Sequence, residues 1–204
     1  EARLGPLKFF DGFPEKATAV KLWDNLDFQR AVQAYLLAIP AVSQAANRDA
    51  FRSLGALNTV LPIFEQLLDS RGIVLTGNDN TVYSWLWLDL KKGPVVLEVP
   101  PKVLGAANDM WQRWVIDIGI TGPDKGRGGK YLFLPPGYKG KIPKGYFVVR
   151  PSTYGNWLAF RSFLVDGSTK PGVESVKKNF KVYQLADAAK PPAMNAPRAG
   201  DRPS

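Results

Sequence analysis

The chain has 204 residues, 45% of them hydrophobic and 22% charged, with 27 Lys and Arg against 18 Asp and Glu for a formal net charge of +9. That balance is ordinary for a folded globular chain, and the length allows one large domain or two small ones. It holds no cysteine and no histidine. Disulfides, thiol nucleophiles, Cys-ligated metals and a Ser-His-Asp triad are therefore excluded within it. No metal site and no cofactor is expected, and any catalysis falls to carboxylates, Lys, Tyr or Arg, or to groups from another chain.

The first third reads as helix. Asp24 or Asn25 is placed to cap a helix through DFQRAVQAYLLAIPAVSQAAN, with Leu26, Val32, Tyr35, Leu36 and Ile39 at helical spacing. Pro40 should kink or break it. Further helical pieces are expected at Arg48 to Leu57 and at Val60 to Ser70, the latter ended by Gly72. The longest apolar run, Ala31 to Ala46, carries Gln33, Pro40, Ser43 and Gln44, so no segment is expected to cross a bilayer.

From Ile73 the texture changes to short β-rich runs separated by Gly, Pro, Asn and Asp. Strands are expected at 73–75, 81–90, 94–99, 110–118, 130–135, 146–150 and 156–164. Seven short strands at regular spacing argue for an antiparallel β-sandwich. In TVYSWLWLDL, Val82, Ser84, Leu86, Leu88 and Leu90 share one face, with Tyr83, Trp85, Trp87 and Asp89 on the other. Two apolar faces suit a central strand, or one covered by the helical part. A short helix is expected in VESVKKNFKVYQL. The Ala- and Pro-rich end reads as a linker or extended arm that packs no core. The domain reading is a helical part over 1–71, a sandwich over 72–168, a short helix over 169–185 and the arm over 186–204.

Between two of these strands lies the loop Gly126-Arg127-Gly128-Gly129-Lys130. It lacks the Gly-Lys-Ser/Thr of a phosphate-binding P-loop, because Tyr131 follows Lys130. Its glycines precede a strand, not a helix, so it is not a dinucleotide fingerprint. Two readings remain: an anion nest using Arg127 and Lys130, or a turn with a basic rim. The positive charge suits an anionic partner in general. No nucleic-acid-reading motif accompanies it, so nucleic acid is not expected.

A ligand site is sought first at Asn78, Asp79, Asn80, Thr81 and Tyr83, which enter the long strand together and suit a sugar or a cation. The other reading is an Asx turn. Asp109, Arg113 and Asp117, at i, i+4 and i+8, are expected on one strand face, as a buried network or a cleft lining. Arg150 suits a bidentate carboxylate contact. Trp111 and Trp114, three apart on the strand expected at 110–118, face opposite sides, so one at least should meet solvent, the helical part or a partner, and stacking of a ligand is a further reading.

The runs GPLKFFDGFP, DNLDFQRAVQAYLLAIPAVS, NTVYSWLWLDLKKGPVVLEVPP and DMWQRWVIDIGITGPDKGRGGKYLFLPPGYKGKIPKGYFVVRPSTY resemble the bacterial family catalogued as domain of unknown function 1254, over about residues 4 to 186. The resemblance implies an α+β chain in which an N-terminal helical part precedes an immunoglobulin-like β-sandwich. It also implies continuation into a jelly-roll partner domain of a second family (domain of unknown function 1214), and export after removal of a signal peptide. The start at Glu1 fits a processed chain, periplasmic or secreted. The family implies no established reaction. Its pattern has Asp-Thr before Tyr-Ser, where Asn80-Thr81 stands here with Asp79 one place earlier. Two functions follow. One is a binding or assembly module that docks a jelly-roll partner or further copies of itself. The other is a histidine-independent hydrolase whose site, with Asp79, Asp109, Asp117, Tyr83 or Arg150, lies at the interface with that domain.

Overall fold

In the computed structural model, which describes residues 4–69 and 79–199, the chain divides into two units, Glu1–Ser43 and Gln44–Ser204. The first begins with a hairpin of β1 (Phe9–Phe10) and β2 (Phe13–Pro14). Asp11 and Gly12 turn it, both with positive φ. That geometry matches strand twist and is accepted by Asp-Gly at little steric cost. Helix α1 (Lys16–Leu54) follows. Lys8 donates its backbone N–H to the buried Thr18 hydroxyl at 2.8 Å, tying the hairpin to the first turns.

Two expectations are corrected along α1. Asp24 and Asn25 lie inside the helix, which starts eight residues before Asp24. The helix also runs through Pro40 and takes in the separate piece expected at Arg48. Proline removes one backbone donor and crowds the preceding turn. The alanine-rich stretch around it has enough helix propensity to absorb that loss. Among the described helices none is long and apolar enough to cross a membrane.

The second unit holds two four-stranded sheets. One has the order β10 (Lys181–Gln184), β4 (Val95–Val99), β7 (Gly129–Phe133), β8 (Phe147–Val149). The other runs β3 (Thr81–Asp89), β9 (Gly155–Phe163), β5 (Val103–Asp109), β6 (Trp114–Gly119). Both contribute to one core: Val82, Leu86, Leu88, Leu158 and Phe160 from the second, Leu97, Tyr131, Phe133 and Val182 from the first. The pairings are antiparallel except β7 with β8, which is parallel, a departure from the all-antiparallel expectation. Helix α2 (Lys170–Asn179) buries Val173 and Val176 in the same core, with Phe180 stacked on Phe160 at 4.9 Å.

The expected third helix, from Val60 to Ser70, is extended where it is described. Pro62 accepts from the Trp85 N–H at 3.2 Å, and Phe64 donates to Tyr83 at 2.9 Å. Val60, Leu61 and Ile63 are buried. A run of β-branched and aromatic residues around a proline gains more from pairing with β3 than from helical turns. The stretch read as a linker lies along its other edge. Leu61 and Ile63 donate to Asn195 and Pro197. Met194 and Ala196 pack on the core, so the expectation that this stretch packs none is overturned. The expected strand 73–75 and the Gly72 cap lie outside the described residues.

Strand β3 is at the end of its sheet, not central; among the described residues its outer edge meets the Pro62–Phe64 stretch through the isolated Ile63–Ser84 bridge and the two backbone bonds above. Its outer apolar face is covered by Phe64 and Trp157, whose rings meet Trp85 edge-on at 4.8 and 6.1 Å. The strand expected at 110–118 is split. Met110 to Arg113 form the turn of the β5–β6 hairpin, with Gln112 at positive φ. The expected VESVKKNFKVYQL helix is likewise cut short at Asn179, and KVYQ forms β10.

Candidate functional site

The glycine-rich loop binds an anion, and the anion is its own. Asp124 is buried. Its Oδ1 accepts from the Gly119 N–H at 2.8 Å and from the Tyr131 hydroxyl in a short bond. Its Oδ2 accepts from the Gly128 N–H at 2.9 Å. The Lys125, Gly126 and Arg127 amides are engaged by the carbonyls of Gly122, Gly119 and Asp124. Gly128 is required here: its φ is +79° and a Cβ would lie 2.7 Å from the Val99 carbonyl oxygen. Burial first, then the bond to Asp124, pushes the Tyr131 phenol well above its usual range, so it stays a donor. The backbone nest is thus filled from within.

The side chains of that loop face a different opportunity. Arg127 and Lys130 line a hollow of about 350 Å³ together with Lys178, Lys181 and Glu98. The sheet order makes this possible, because β4 lies between β7, which carries Lys130, and β10, which carries Lys181. Lys178 arrives from the last turn of α2. Glu98 accepts from the Tyr183 hydroxyl at 2.6 Å and from Lys130 at 3.0 Å. Partial burial alone would raise its carboxyl. The Tyr183 and Lys130 bonds, with the Lys130 and Lys181 charges, outweigh that and hold it below its ordinary value. Burial and Glu98 push the Tyr183 phenol up. Four cations therefore face one carboxylate that is already engaged. The roles of Lys178 and Lys181 were missed in the sequence, where both read as one helix; only the break at Asn179 brings them beside the loop.

A second polar cluster forms at the β5–β6 turn. Asp109 is 2% exposed. Its carboxylate accepts from the Trp111 and Arg113 backbone amides at 2.8 and 3.0 Å, from Arg113 Nε at 2.8 Å and from the Ser152 hydroxyl at 2.9 Å. Burial raises its pKa, but these donors outweigh burial and hold it low. With so many donors it serves as a fixed acceptor and turn organiser. Asp117 is separate and accepts from Trp114 Nε1 at 2.7 Å. The expected alternation of Asp109, Arg113 and Asp117 on one strand face is therefore replaced by a turn and its flank. The same split removes the two-sided arrangement expected of Trp111 and Trp114. Trp111 sits on the turn and Trp114 opens β6, both exposed.

Of the strand-mouth group, Asn78 lies outside the described residues. Asp79 and Asn80 are exposed at a bend before β3. Tyr83 is half-buried under the Arg161 guanidinium, 5.2 Å from its ring centroid. Arg150 is exposed just after β8. None of Asp79, Asn80, Tyr83, Trp111 and Arg150 lines the basic hollow.

A further hollow, about 610 Å³, was not foreseen. Arg52, Asn58, Asp89, Lys92, Tyr183 and Asp187 line it. Asn58 exchanges two 2.8 Å bonds with the Asp89 backbone, a strand-like clamp that fixes its wall. Tyr183 lines this hollow while its hydroxyl reaches Glu98 in the basic one. No group of three or more carboxylates among the described residues is placed to hold a metal ion.

A family profile described as "Protein of unknown function (DUF1254)" matches residues 58–184. Among solved structures, the crystal structure of the VPA0106 protein from Vibrio parahaemolyticus is similar, with a TM-score of 0.60 at 19% identity. The match covers 84% of this chain and 41% of that one, so the matched part spans well under half of that relative's length. At that identity the likeness is one of fold. No curated protein matches the chain.

Proposed function

The chain belongs to the family of unknown function DUF1254, and from that premise we propose that it is a binding or assembly module of an exported bacterial protein. The observation that carries this reading is the distribution of apolar side chains in the first unit. On α1, Trp23, Phe28, Tyr35, Leu36, Leu37 and Val42 are all exposed by 47% or more. Large side chains held in water along one element mark a surface that another polypeptide covers. The second unit is read as immunoglobulin-like on its two four-stranded sheets around one core, and a solved relative of about twice this length leaves room for a partner domain, read here as a jelly roll.

Native mass spectrometry tests the module reading. The unsubstituted chain should be found bound to a second polypeptide or to copies of itself, and a Val32→Glu/Ile39→Glu variant should release it. A lone 22.5 kDa species at every concentration would overturn the reading.

A second reading concerns the basic hollow. Four cations around one ionised carboxylate, which pairs with Lys130 alone of them, favour an anionic group, such as a carboxylate or phosphate on the bound partner. Titration with inorganic phosphate, followed by chemical shifts of Gly128 and Lys130, should show saturable binding. A Lys178→Glu/Lys181→Glu variant should lose it. Equal binding by both proteins would remove the hollow from the account.

A further inference from the structure

Phe28, Val32, Tyr35, Ile39 and Val42 recur along α1 at steps of four, three, four and three residues. That is the spacing of the inward positions of a two-stranded coiled coil. Here these positions face outward: the five are 47%, 40%, 70%, 47% and 66% exposed. Leu36, 59% exposed, flanks the seam on one side. Ala31, Ala38 and Ala45 occupy the flank on the other side. Their small side chains let a second helix come close. Pro40 falls one place after Ile39, off the seam, so its missing N–H leaves the pairing face intact.

The charge pattern narrows the occupant. From Ala31 to Asn47 there is no Asp, Glu, Lys or Arg. Coiled coils choose foreign partners, and reject copies of themselves, largely through charges flanking the seam. A seam without them has nothing that repels an identical strand, and a stripe of one composition is complementary to itself across a two-fold axis.

We propose that residues 28–42 of α1 are a homodimerisation seam, occupied by the same residues of a second copy of this chain. The inference rests on the module reading above and names the partner.

The absence of cysteine allows a clean test. Tyr35 is the middle position of the seam, so copies meet there in either helix orientation. Tyr35→Cys places one thiol per copy, and mild oxidation should link two copies through a disulfide. Gln33→Cys, on the same helix but off the seam, should remain unlinked. Sedimentation velocity should give twice the 22.5 kDa monomer mass for the unsubstituted chain. Val32→Glu/Ile39→Glu should weaken association at least ~100-fold. An unchanged circular dichroism spectrum and unfolding midpoint in that variant would show that the fold survives.

A chain that stays monomeric, with Tyr35→Cys unlinked, would overturn the proposal. Two further outcomes then separate it from the reading beneath it. If the Tyr35→Cys thiol reacts quickly with a maleimide, the seam is open and only the choice of a second copy fails. If it reacts slowly, the seam is already covered and the module reading fails as well. A monomer that floats with vesicles of phosphatidylglycerol would assign the face to a lipid surface, and would equally overturn the second copy.

Discussion

The two units use their apolar residues in opposite ways. In Gln44–Ser204, the inward residues of every strand in the two sheets meet in one core, and Val82, Leu86, Leu97, Phe133 and Leu158 are fully buried. In Glu1–Ser43, side chains of the same kinds are exposed on α1, while the polar Thr18 is buried. Gln44, the first residue of the second unit, is an exception to its apolar interior: it is fully buried with both amide atoms unpartnered among the described residues. Sheets satisfy their apolar faces against each other within one chain. A helix with an apolar stripe has to find its second surface elsewhere. The contrast separates a unit whose apolar faces are buried in its own core from one whose apolar stripe, on the proposed reading, is covered by a partner.

The largest effect expected from breaking this contrast lies in the complete unit. Asp124→Ala leaves the Gly119 and Gly128 amides and the Tyr131 hydroxyl without their acceptor. Thermal unfolding should report a loss of about 3 kcal/mol, since each stranded buried donor costs roughly 1–3 kcal/mol. A loss within ~0.5 kcal/mol would mean that water satisfies the loop.

Next comes acid. Asp109 and Glu98 both have carboxyls held below their ordinary values. Their contribution is present above the pKa of the unfolded chain, near ~4, because both stay ionised while folded. It is lost as pH falls through the lower folded values, where the unfolded chain has already taken up its protons. Unfolding midpoints measured from pH 7 to pH 2 should therefore fall on acidification. Glu98→Gln/Asp109→Asn should be less stable at pH 7 and show a flatter acid limb. Parallel limbs would contradict the assignment.

Gln44→Met should sharpen the comparison from the other side. Replacing an unpartnered buried amide by an apolar chain of similar volume should raise stability by about 1 kcal/mol in denaturant titrations. A fall would reveal a partner for the amide. The smallest stability effect belongs to Val32→Glu/Ile39→Glu. Exposed positions tolerate such changes within ~0.5 kcal/mol, so the midpoint of the second unit should hold while association is lost.

The sequence showed the β-rich unit through its local texture: alternating apolar runs punctuated by Gly and Pro predict β3, β4, β7, β8 and β9 within a few residues. It failed where packing overrode propensity. Gly105, Ala106 and Ala107 are poor strand formers, yet β5 needs small residues: a Cβ on Gly105 would lie 2.3 Å from that of Phe160. Val60–Phe64 carries a proline tolerated at a helix start and also at a sheet edge, and the β3 edge decided between them. For the site, Arg127 and Lys130 were found because they are adjacent to the glycines. Lys178 and Lys181 were not, because nothing local says that α2 ends at Asn179 and returns beside β4. Asp124 was missed because a lone acid in a loop gives no sign that it fills the nest of amides itself. On α1, Val32, Tyr35 and Ile39 were read at helical spacing but Phe28 and Val42 were not, and the exposure of all five is a property of the fold.

The central claim is that the first unit is completed by another copy while the second is complete alone. Amide hydrogen exchange at increasing protein concentration tests it most directly, by comparing residues 28–42 with residues 81–89 in one experiment. The account predicts that protection in 28–42 rises with concentration while protection in 81–89 stays constant. Protection in 28–42 that does not change with concentration would contradict it.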